Sequence, residues 1–261
     1  MPSAQVNGIE IVYQIFGEGQ PLLLIHGLGS SGRDWERQIT AFSHHYQVIV
    51  FDVRGHGNSA KPSGPYSVPL FALDCAELLK AIGVDHAHVV GISMGAMIAL
   101  QLAVDFPEVV KSLVVVNTGP DLIVRSLKEL ILLWQRLLIV QLLGMHKMGE
   151  VLSKRLFPKP DQADLREIFV EHWAENDPRA YQETLKGLVG WSVVEKLPLI
   201  HCPTLIVAAD QDYTPLETKK VFIDRIPVSQ LVVIKDAHHA APMEKPEEFN
   251  RILDTFLTTH Q

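Results

Sequence analysis

Residues 87–103 read A-H-V-V-G-I-S-M-G-A-M-I-A-L-Q-L-A and contain the strongest local signal for a fold in the chain. The apolar run at 87–90 predicts a buried strand, and the Ala- and Leu-rich run from 96 predicts a helix. Between them stands Gly-x-Ser-x-Gly, which is typical of a sharp turn that presents a serine hydroxyl at a helix N-terminus. Gly91 and Gly95 suit such a turn because they bring no side chain into it. We therefore predict that Ser93 is a nucleophile, the alternative being a glycine-serine turn without chemistry.

The same alternation of short apolar runs and helical patterns continues on both sides of this turn. It is typical of a mostly parallel sheet that helices cover on both faces. The predicted strands are 9–15, 21–25, 47–51, 87–90, 112–116, 204–208 and 230–234, and the predicted helices are 33–44, 69–82, 94–105, 215–225 and 245–258. We expect an α/β fold with a mostly parallel central sheet.

The alternation stops between about 119 and 195, where only helical patterns can be read. These helices are interrupted at Gly144, at F-P-K-P (157–160) and at D-P (177–178). We expect residues 1–118 and 196–261 to form the α/β core. Residues 119–195 are predicted to be an all-helical cap, inserted after the strand that ends near Asn117.

Composition excludes several classes of protein. The formal net charge of −7 over 261 residues argues against a nucleic-acid partner, which needs a broad basic surface. Two cysteines, Cys75 and Cys202, do not make a disulfide framework, and the N-terminus has no secretory signal pattern. The expected location is therefore the cytoplasm.

One segment, residues 127–144, is apolar over nearly the length of a membrane span. Lys128, Glu129 and Arg136 interrupt it, with Gln135 and Gln141. Charges near the centre of a span cost roughly 2.5 to 3.5 kcal/mol each. The segment is predicted to be an unusually apolar helix of the cap, and no membrane span is expected.

Two further motifs stand in a fixed order before the serine. H-G-L-G (26–29) follows a predicted strand, and F-D-V-R-G-H-G-N-S (51–59) follows the next one. With G-I-S-M-G (91–95), they resemble the α/β-hydrolase family over nearly the full length of the chain. The resemblance implies an oxyanion hole made by the backbone N–H groups of Leu28 and Met94. It also implies that no metal and no organic cofactor is needed.

The nearby polar side chains of these two motifs are expected to have structural roles. The resemblance implies that His26 supports the oxyanion loop through hydrogen bonds. Asp52, Arg54 and His56 are expected to hold the turn after the strand rather than to touch substrate.

The resemblance also orders the remaining catalytic groups as acid and then histidine. After the strand at 204–208 the chain reads A-D-Q-D-Y-T-P (209–215), so Asp210 and Asp212 compete for the role of the acid. The family pattern Gly-x-x-Asp selects Asp212, although Ala209 stands in the glycine position.

Two adjacent histidines, His238 and His239, follow the last predicted strand. Neighbouring side chains point in different directions and cannot share one task. The family pattern Gly-His-x-x-x-x-Glu, counted back from Glu244, selects His239 as the general base. His238 then stands where the family usually has glycine.

These features predict a serine carboxylesterase for short to medium acyl esters, working through an acyl-enzyme. A pimeloyl-carrier methyl ester esterase, an enol-lactonase or a carbon–carbon bond hydrolase would share the motifs. A ligand receptor on this scaffold, or a cofactor-free perhydrolase, are alternatives of another class. Aspartate is absent from position 93, which argues against a haloalkane dehalogenase.

The predicted cap contains candidate pocket residues and a basic region. Trp134 and Trp173 are candidates for a pocket that binds alkyl or aryl groups. Residues 121–160 carry seven basic and three acidic side chains, which predicts a solvated face or, more sharply, binding of an acidic carrier protein. A monomer or a homodimer is expected.

Overall fold

The computed structural model describes residues 1–260. The strands are β1 Ser3–Val6, β2 Ile9–Phe16, β3 Gln20–Ile25, β4 Tyr46–Phe51, β5 Ala87–Ile92, β6 Val110–Val116, β7 Thr204–Ala209 and β8 Ser229–Ile234. The helices are α1 Glu36–Phe42, α2 Val68–Ala81, α3 Met94–Asp105, α4 Leu127–Leu156, α5 Ala163–Ala174, α6 Pro178–Leu188, α7 Leu216–Arg225, α8 Ala241–Glu244 and α9 Pro246–Thr259.

Within these residues the strands form one eight-stranded sheet in the order β1-β2-β4-β3-β5-β6-β7-β8. Strand β2 runs antiparallel to both of its neighbours, and every pairing from β4 to β8 is parallel. The predicted α/β fold with a mostly parallel central sheet is confirmed.

Both faces of the sheet are buried, which explains the continuous apolar runs of its strands. Along β3, Leu22 and Leu24 pack into one hydrophobic cluster, and Leu23 and Ile25 pack into the other. Side chains of α2, α3 and α7 complete the cluster around Leu23. Those of α1 and α9 complete the opposite one. Alternate residues of a strand therefore serve opposite halves of the core.

The parallel arrangement places the carboxyl ends of β3 to β8 along one edge of the sheet. The loops that leave this edge carry the serine turn after β5, the H-G-L-G segment after β3, the Asp212 loop after β7 and the His239 loop after β8. In open α/β sheets, ligands bind outside this edge.

Helices α4, α5 and α6 lie between β6 and β7, as the sequence predicts. An isolated antiparallel bridge between Asp121 and Ser192 joins the two ends of this segment. A separate hydrophobic cluster, which includes Phe157, Phe169 and Trp173, holds the three helices together. The bounds 119–195 for a distinct cap domain remain a prediction.

Helix α4 is interrupted where the sequence predicts a break. Gly144 has φ 76° and ψ −178°, a conformation that is essentially restricted to glycine. No helix among residues 1–260 is long and apolar enough to cross a membrane.

Candidate active site

The turn at Ser93 is strained in the way that the Gly-x-Ser-x-Gly pattern predicts. Ser93 has φ 55° and ψ −117°, and α3 begins at the next residue. A Cβ atom at Gly91 would lie 2.2 Å from the carbonyl oxygen of Gly95, and one at Gly95 would lie 2.1 Å from the carbonyl oxygen of Ile25. The two glycines are therefore required by backbone contacts, and the half-buried Ser93 lies at the carboxyl edge of the sheet.

The structure brings Asp212 and His239 together. His239 Nδ1 lies 2.7 Å from Asp212 Oδ1. Because an ionised carboxylate only accepts hydrogen bonds, Nδ1 carries the proton and Nε2 is left to accept a hydrogen bond. Asp210, the competing acid, instead accepts a 3.4 Å bond from the backbone N–H of Ala237.

Asp212 is buried and surrounded by donors. Its Oδ2 accepts hydrogen bonds from the Thr214 hydroxyl and, at 3.4 Å, from Lys219 Nζ. Burial raises the pKa of Asp212, but the hydrogen bonds from His239 and Thr214 and the charge of Lys219 outweigh burial and lower the pKa overall. The carboxylate therefore stays ionised beside the imidazole.

His239 Nε2 is already occupied by Tyr213. The Tyr213 hydroxyl lies 2.7 Å from Nε2, and the phenol ring stacks on the imidazole with 4.1 Å between the ring centres. Burial of the phenol raises the pKa of Tyr213 to about 12, so the hydroxyl is protonated at neutral pH. The Ser93 side chain also interacts with this hydroxyl.

The loop after β3 lies against the serine, as an oxyanion loop must. A Cβ atom at Gly27 would lie 3.7 Å from Ser93 Cβ. Within residues 1–260, no acceptor bonds to the backbone N–H of Leu28 or of Met94. Both donors are therefore available, and their role in an oxyanion hole remains a prediction.

His26 connects the oxyanion loop to the loop after β4. The backbone N–H of Val53 donates to His26 Nε2 at 2.9 Å, so Nδ1 carries the proton and lies 2.8 Å from the carbonyl oxygen of Gly27. Burial lowers the pKa of His26 and keeps the ring neutral. This geometry agrees with a supporting role and leaves no free nitrogen for catalysis.

The loop after β4 is held by its own polar side chains. Asp52 accepts hydrogen bonds from the backbone N–H groups of Gly32 at 2.9 Å and of Asn58 at 2.7 Å. Arg54 forms a buried two-point ion pair with Asp74, with both N···O distances at 2.7 Å. These contacts agree with a structural role for Asp52 and Arg54 in holding the loop after β4.

His238 has a different partner from His239. Its Nδ1 lies 2.9 Å from Glu244 Oε1, and its backbone N–H donates to Glu244 Oε2 at 2.5 Å. Gln162 from the segment between α4 and α5 also donates to Glu244 Oε1, at 2.7 Å. His238 therefore ties its loop to a buried glutamate, away from the serine.

Asn117, at the end of β6, links the two loops that carry the acid and the base. Its Nδ2 donates to the carbonyl oxygen of His239 at 2.8 Å, and its Oδ1 accepts the N–H of Ala209 at 2.8 Å. Asn117 has φ 46°, a left-handed conformation that asparagine tolerates better than most residues. A single side chain thus fixes the spacing of Asp212 and His239.

The two tryptophans predicted to line a pocket have opposite placements. Trp173 is buried, and a Cβ atom at Gly29 would lie 2.7 Å from its ring, so it lies on the oxyanion loop. Trp134 is 65% exposed on the outer face of α4. The structure does not support Trp134 as a pocket residue, because the helical turn directs it away from the core.

Arg136, half a turn from Trp134 on α4, faces inward instead. Its guanidinium lies 5.9 Å from the ring centre of Trp173 and 5.4 Å from that of Tyr181, and its Nε donates to the Tyr181 hydroxyl. Within the described part of the chain no carboxylate pairs with it. Arg136 is therefore a cation beside Trp173 that has no counter-ion within the described residues.

A serine on a strained turn, a histidine–carboxylate pair and two backbone N–H groups without acceptors lie on loops that leave one edge of an α/β sheet. The family model described as the alpha/beta hydrolase fold matches residues 20–246. The chain belongs to that family. Within residues 1–260, no group of three or more His, Cys, Asp or Glu side chains is arranged to hold a metal ion.

Known relatives share this architecture over their full length. The chain is 30% identical to a protein of Azorhizobium caulinodans named as a carbamate hydrolase, RutD, with 97% of each chain covered. It is 27% identical to 3-oxoadipate enol-lactonase 2 of Acinetobacter baylyi, over 95% of this chain and 93% of that one. A thermophilic esterase from Thermogutta terrifontis, solved with malate bound, superimposes with a TM-score of 0.90 at 25% identity, covering 100% and 99% of the two chains.

Proposed function

We propose that the protein is a serine hydrolase that cleaves carboxylic ester bonds of short to medium acyl chains. The observation that carries this proposal is the meeting of three loops at one sheet edge, with Ser93 on the strained turn beside the hydrogen-bonded pair His239 and Asp212. A carbonyl carbon over Ser93 would have the N–H groups of Leu28 and Met94 near its oxygen. Such donors typically contribute about 3 to 4 kcal/mol each to the transition state.

In the first half-reaction Ser93 Oγ attacks the ester carbonyl while its proton passes to His239 Nε2. The carbonyl electrons move to oxygen, where the two backbone N–H groups stabilise the charge. The intermediate then expels the alcohol, which takes the proton from Nε2, and the acyl group remains on Oγ. Asp212 holds the imidazole in the required tautomer and stabilises the imidazolium.

In the second half-reaction water attacks the acyl-enzyme and gives its proton to Nε2. Collapse of the second intermediate releases the carboxylic acid and returns the proton to Ser93 Oγ. Both steps need Nε2 to face the serine. The Tyr213 hydroxyl must therefore leave Nε2 before or as substrate binds.

A second candidate is the opening of a lactone that carries a carboxylate. The observation that favours it is the guanidinium of Arg136, which has no counter-ion and can bind a carboxylate with two parallel hydrogen bonds. The indole N–H of Trp173, which has no acceptor within the described residues, adds a donor beside the oxyanion loop. The named activity of the Acinetobacter relative is of this chemical kind.

The first experiment is hydrolysis of a chain-length series of p-nitrophenyl esters by the wild type and by Ser93→Ala. We expect the wild type to turn over several of them and Ser93→Ala to lose at least about a thousandfold in kcat, as removal of a catalytic serine does elsewhere. Turnover of none of these esters by the wild type, or an unchanged rate in the variant, would reject the esterase proposal.

A comparison of two substrates distinguishes the esterase proposal from the lactonase proposal. p-Nitrophenyl butyrate is compared with a five-membered enol-lactone bearing a carboxymethyl group, and kcat/KM is measured for each. A higher kcat/KM for the lactone, lost on Arg136→Gln, supports the lactonase. A higher value for the neutral ester, with a ratio unaffected by Arg136→Gln, supports the esterase.

A further inference from the structure

Helix α7 carries a lysine at a position where its pattern calls for an apolar side chain. Lys219, Phe222 and Ile226 are spaced by three and four residues, so they lie on the same face of the helix. Phe222 and Ile226 belong to the hydrophobic core, and Lys219 is buried with them, with only 1% of its surface exposed. A buried charge is costly unless it is paired. Lys219 therefore needs a compensating partner.

The candidate catalytic acid is that partner. Lys219 Nζ lies 3.4 Å from Asp212 Oδ2 and 3.2 Å from the carbonyl oxygen of Thr214, and it also donates to the Thr214 hydroxyl oxygen. The Asp212 side chain is itself fully buried, and within residues 1–260 it is the one carboxylate that forms an ion pair with Lys219. Three acceptors require three N–H donors, which only the protonated amine has. The geometry therefore describes Lys219 as a cation.

The Thr214 hydroxyl links the two charges a second time. Because Lys219 Nζ can only donate, Thr214 Oγ1 accepts from it, and the hydroxyl proton is left to bind Asp212 Oδ2. Both contacts end on Oδ2, whereas Oδ1 lies 2.7 Å from Nδ1 of His239. The two oxygens of Asp212 are thus divided between the histidine and the lysine.

A cation bonded to the acid acts on the whole pair of His239 and Asp212, which titrates as a unit. Burial raises the pKa of Asp212, and the hydrogen bonds from His239 and Thr214, together with the charge of Lys219, overcome that effect. The same charge opposes a second positive charge on the nearby imidazole, because like charges repel strongly in a buried site. Both effects oppose uptake of a proton by the pair as the pH falls.

The other charged groups near the pair act less directly. Tyr213 stacks on the imidazole, and the guanidinium of Arg155, from α4, lies 4.6 Å from the centre of the Tyr213 ring. Arg136, also from α4, acts on Tyr213 through its charge. The remaining titratable residues of the two loops bond to other groups: Asp210, Asp236, His238 and Glu244. In the part of the chain that the structure describes, Lys219 is the one lysine or arginine that bonds to either member of the pair.

We propose that Lys219 is a positioning residue for the reaction: its buried ammonium holds the outer oxygen of Asp212, directly and through the Thr214 hydroxyl, and so keeps the pair of His239 and Asp212 unprotonated at mildly acidic pH. This inference rests on the proposed function, since the pair is the proposed acid and base. An uncharged side chain at this position would fill the core equally well, so the charge is what the lysine adds.

The test is the pH dependence of kcat/KM for p-nitrophenyl butyrate in the wild type and in Lys219→Met, followed at the isosbestic wavelength of nitrophenol. Activity needs an unprotonated pair, and removal of the cation makes proton uptake easier. We therefore expect the acid limb of Lys219→Met to lie about half a unit to one unit higher in pH, with kcat/KM about threefold to tenfold lower on that limb. At the plateau the two proteins should agree within about threefold.

A matched control and a second variant accompany this measurement. Lys220→Met removes the same charge from the next residue of α7, which is exposed, and should leave the acid limb unchanged. Methionine matches the length of lysine and suits a buried position, so Lys219→Met should fold, which circular dichroism checks. Thr214→Val keeps the ammonium but removes the hydroxyl that donates to Asp212, and it should move the limb in the same direction.

A readout without substrate separates this inference from the proposed function. The pH titration of the His239 ring protons by NMR, assigned with His239→Ala, should be displaced to higher pH in Lys219→Met. A wild type that hydrolyses no ester would reject the proposed function, and the ring titration would still decide the role of Lys219.

Three results would overturn the inference. The first is an acid limb, or a ring titration, at the wild-type pH in both Lys219→Met and Thr214→Val. The second is an equal displacement in Lys220→Met. The third is a loss of activity in Lys219→Met that is uniform at every pH, because Lys219 would then serve only to hold the loop.

Discussion

At the scale of single residues, the site depends on side chains that differ in role although they are adjacent in sequence. His239 binds Asp212, whereas His238 binds Glu244. Asp212 accepts a hydrogen bond from Nδ1 of His239, whereas the neighbouring Tyr213 binds Nε2 of the same ring. A shift of one position in either loop would therefore exchange a proposed catalytic group for a structural one.

The two histidines should respond very differently to substitution. His239→Ala removes the proposed acceptor of the serine proton, so kcat for ester hydrolysis should fall by about four orders of magnitude. His238→Ala loses a hydrogen bond to Glu244 and should cost less than about tenfold. Steady-state kinetics on the best p-nitrophenyl ester measures both, and a larger loss in His238→Ala would reverse the assignment.

Tyr213 competes with Ser93 for His239 Nε2, and this leads to an unusual expectation. Tyr213→Phe keeps the stacked ring but removes the hydrogen bond, which is worth about 1 kcal/mol net. We expect kcat/KM to rise by roughly threefold to fivefold because Nε2 is released. If the variant instead lost tenfold or more, the hydroxyl would have a direct part in the reaction.

The sequence and its family resemblance indicate Ser93, Asp212 and His239 as candidates but give no sign of the side chains that contact them. The resemblance to a family was needed to choose Asp212 over Asp210, since both carboxylates fit the loop by composition. Asn117, Tyr213 and Lys219 came only from the structure, because a hydrogen bond between residues distant in the chain leaves no local pattern. The exposure of Trp134 was missed because apolar residues were assumed to face inward.

At the scale of elements, the predicted strands and helices of the core agree with the structure to within a few residues. Long apolar runs buried on both faces and the glycines of the serine turn give strong local signals. Strand β1 (Ser3–Val6) and helix α8 (Ala241–Glu244) were not predicted, because each has four residues and too few apolar positions to show a period. Their formation depends on packing against the rest of the chain.

The break in α4 is a property of Gly144 alone, since no atom lies within 4 Å of where a Cβ would stand. Its backbone conformation costs a residue with a side chain about 1 to 3 kcal/mol. Gly144→Ala should therefore lower the free energy of unfolding by about 2 kcal/mol in urea denaturation. Gly119→Ala is the control, because Gly119 has an ordinary φ and a Cβ there would make only a van der Waals contact, 3.5 Å from the carbonyl oxygen of Asp121; it should change stability by less than about 1 kcal/mol. If both variants lost equal stability, the loss could not be attributed to the backbone conformation of Gly144.

At the scale of the whole molecule, the protein combines an α/β core that holds the candidate active-site loops with helices α4 to α6, which stand between β6 and β7. The loops at the carboxyl edge of the sheet carry the candidate catalytic residues. Helix α4 has one face toward these loops and one exposed face. The fold class was predictable because it rests on repeated local patterns. The placement of α4 was not, because both of its faces are apolar.

Stability should fall in acid because neutral histidines are buried in the core. Burial lowers the pKa of His26, and it lowers that of His56 to about 3. The unfolded chain protonates both residues near pH 6.5, whereas the folded chain does not, so protons favour unfolding as the pH decreases below that value. Between about pH 6 and 4, His56 should lower the free energy of unfolding by roughly 1.4 kcal/mol per pH unit, and His26 should act in the same direction.

Urea denaturation across this pH range measures the slope. His56→Asn keeps a donor for the carbonyl oxygen of Arg54, with which His56 Nδ1 interacts at 3.1 Å, but does not titrate. In the variant, the free energy of unfolding should depend less on pH, because one titrating histidine has been removed. A stability that stays flat from pH 7 to 5, or an unchanged slope in the variant, would contradict buried neutral histidines.

The central claim is that Ser93 is a nucleophile activated by His239. It is tested most directly by reaction with diethyl p-nitrophenyl phosphate, in which Ser93 Oγ bonds to phosphorus and p-nitrophenolate leaves. Intact-mass and peptide analysis should find one diethylphosphoryl group, located on Ser93, in the wild type, with much slower labelling in His239→Ala and none in Ser93→Ala. Labelling at another residue, or equal labelling of all three proteins, would contradict the claim.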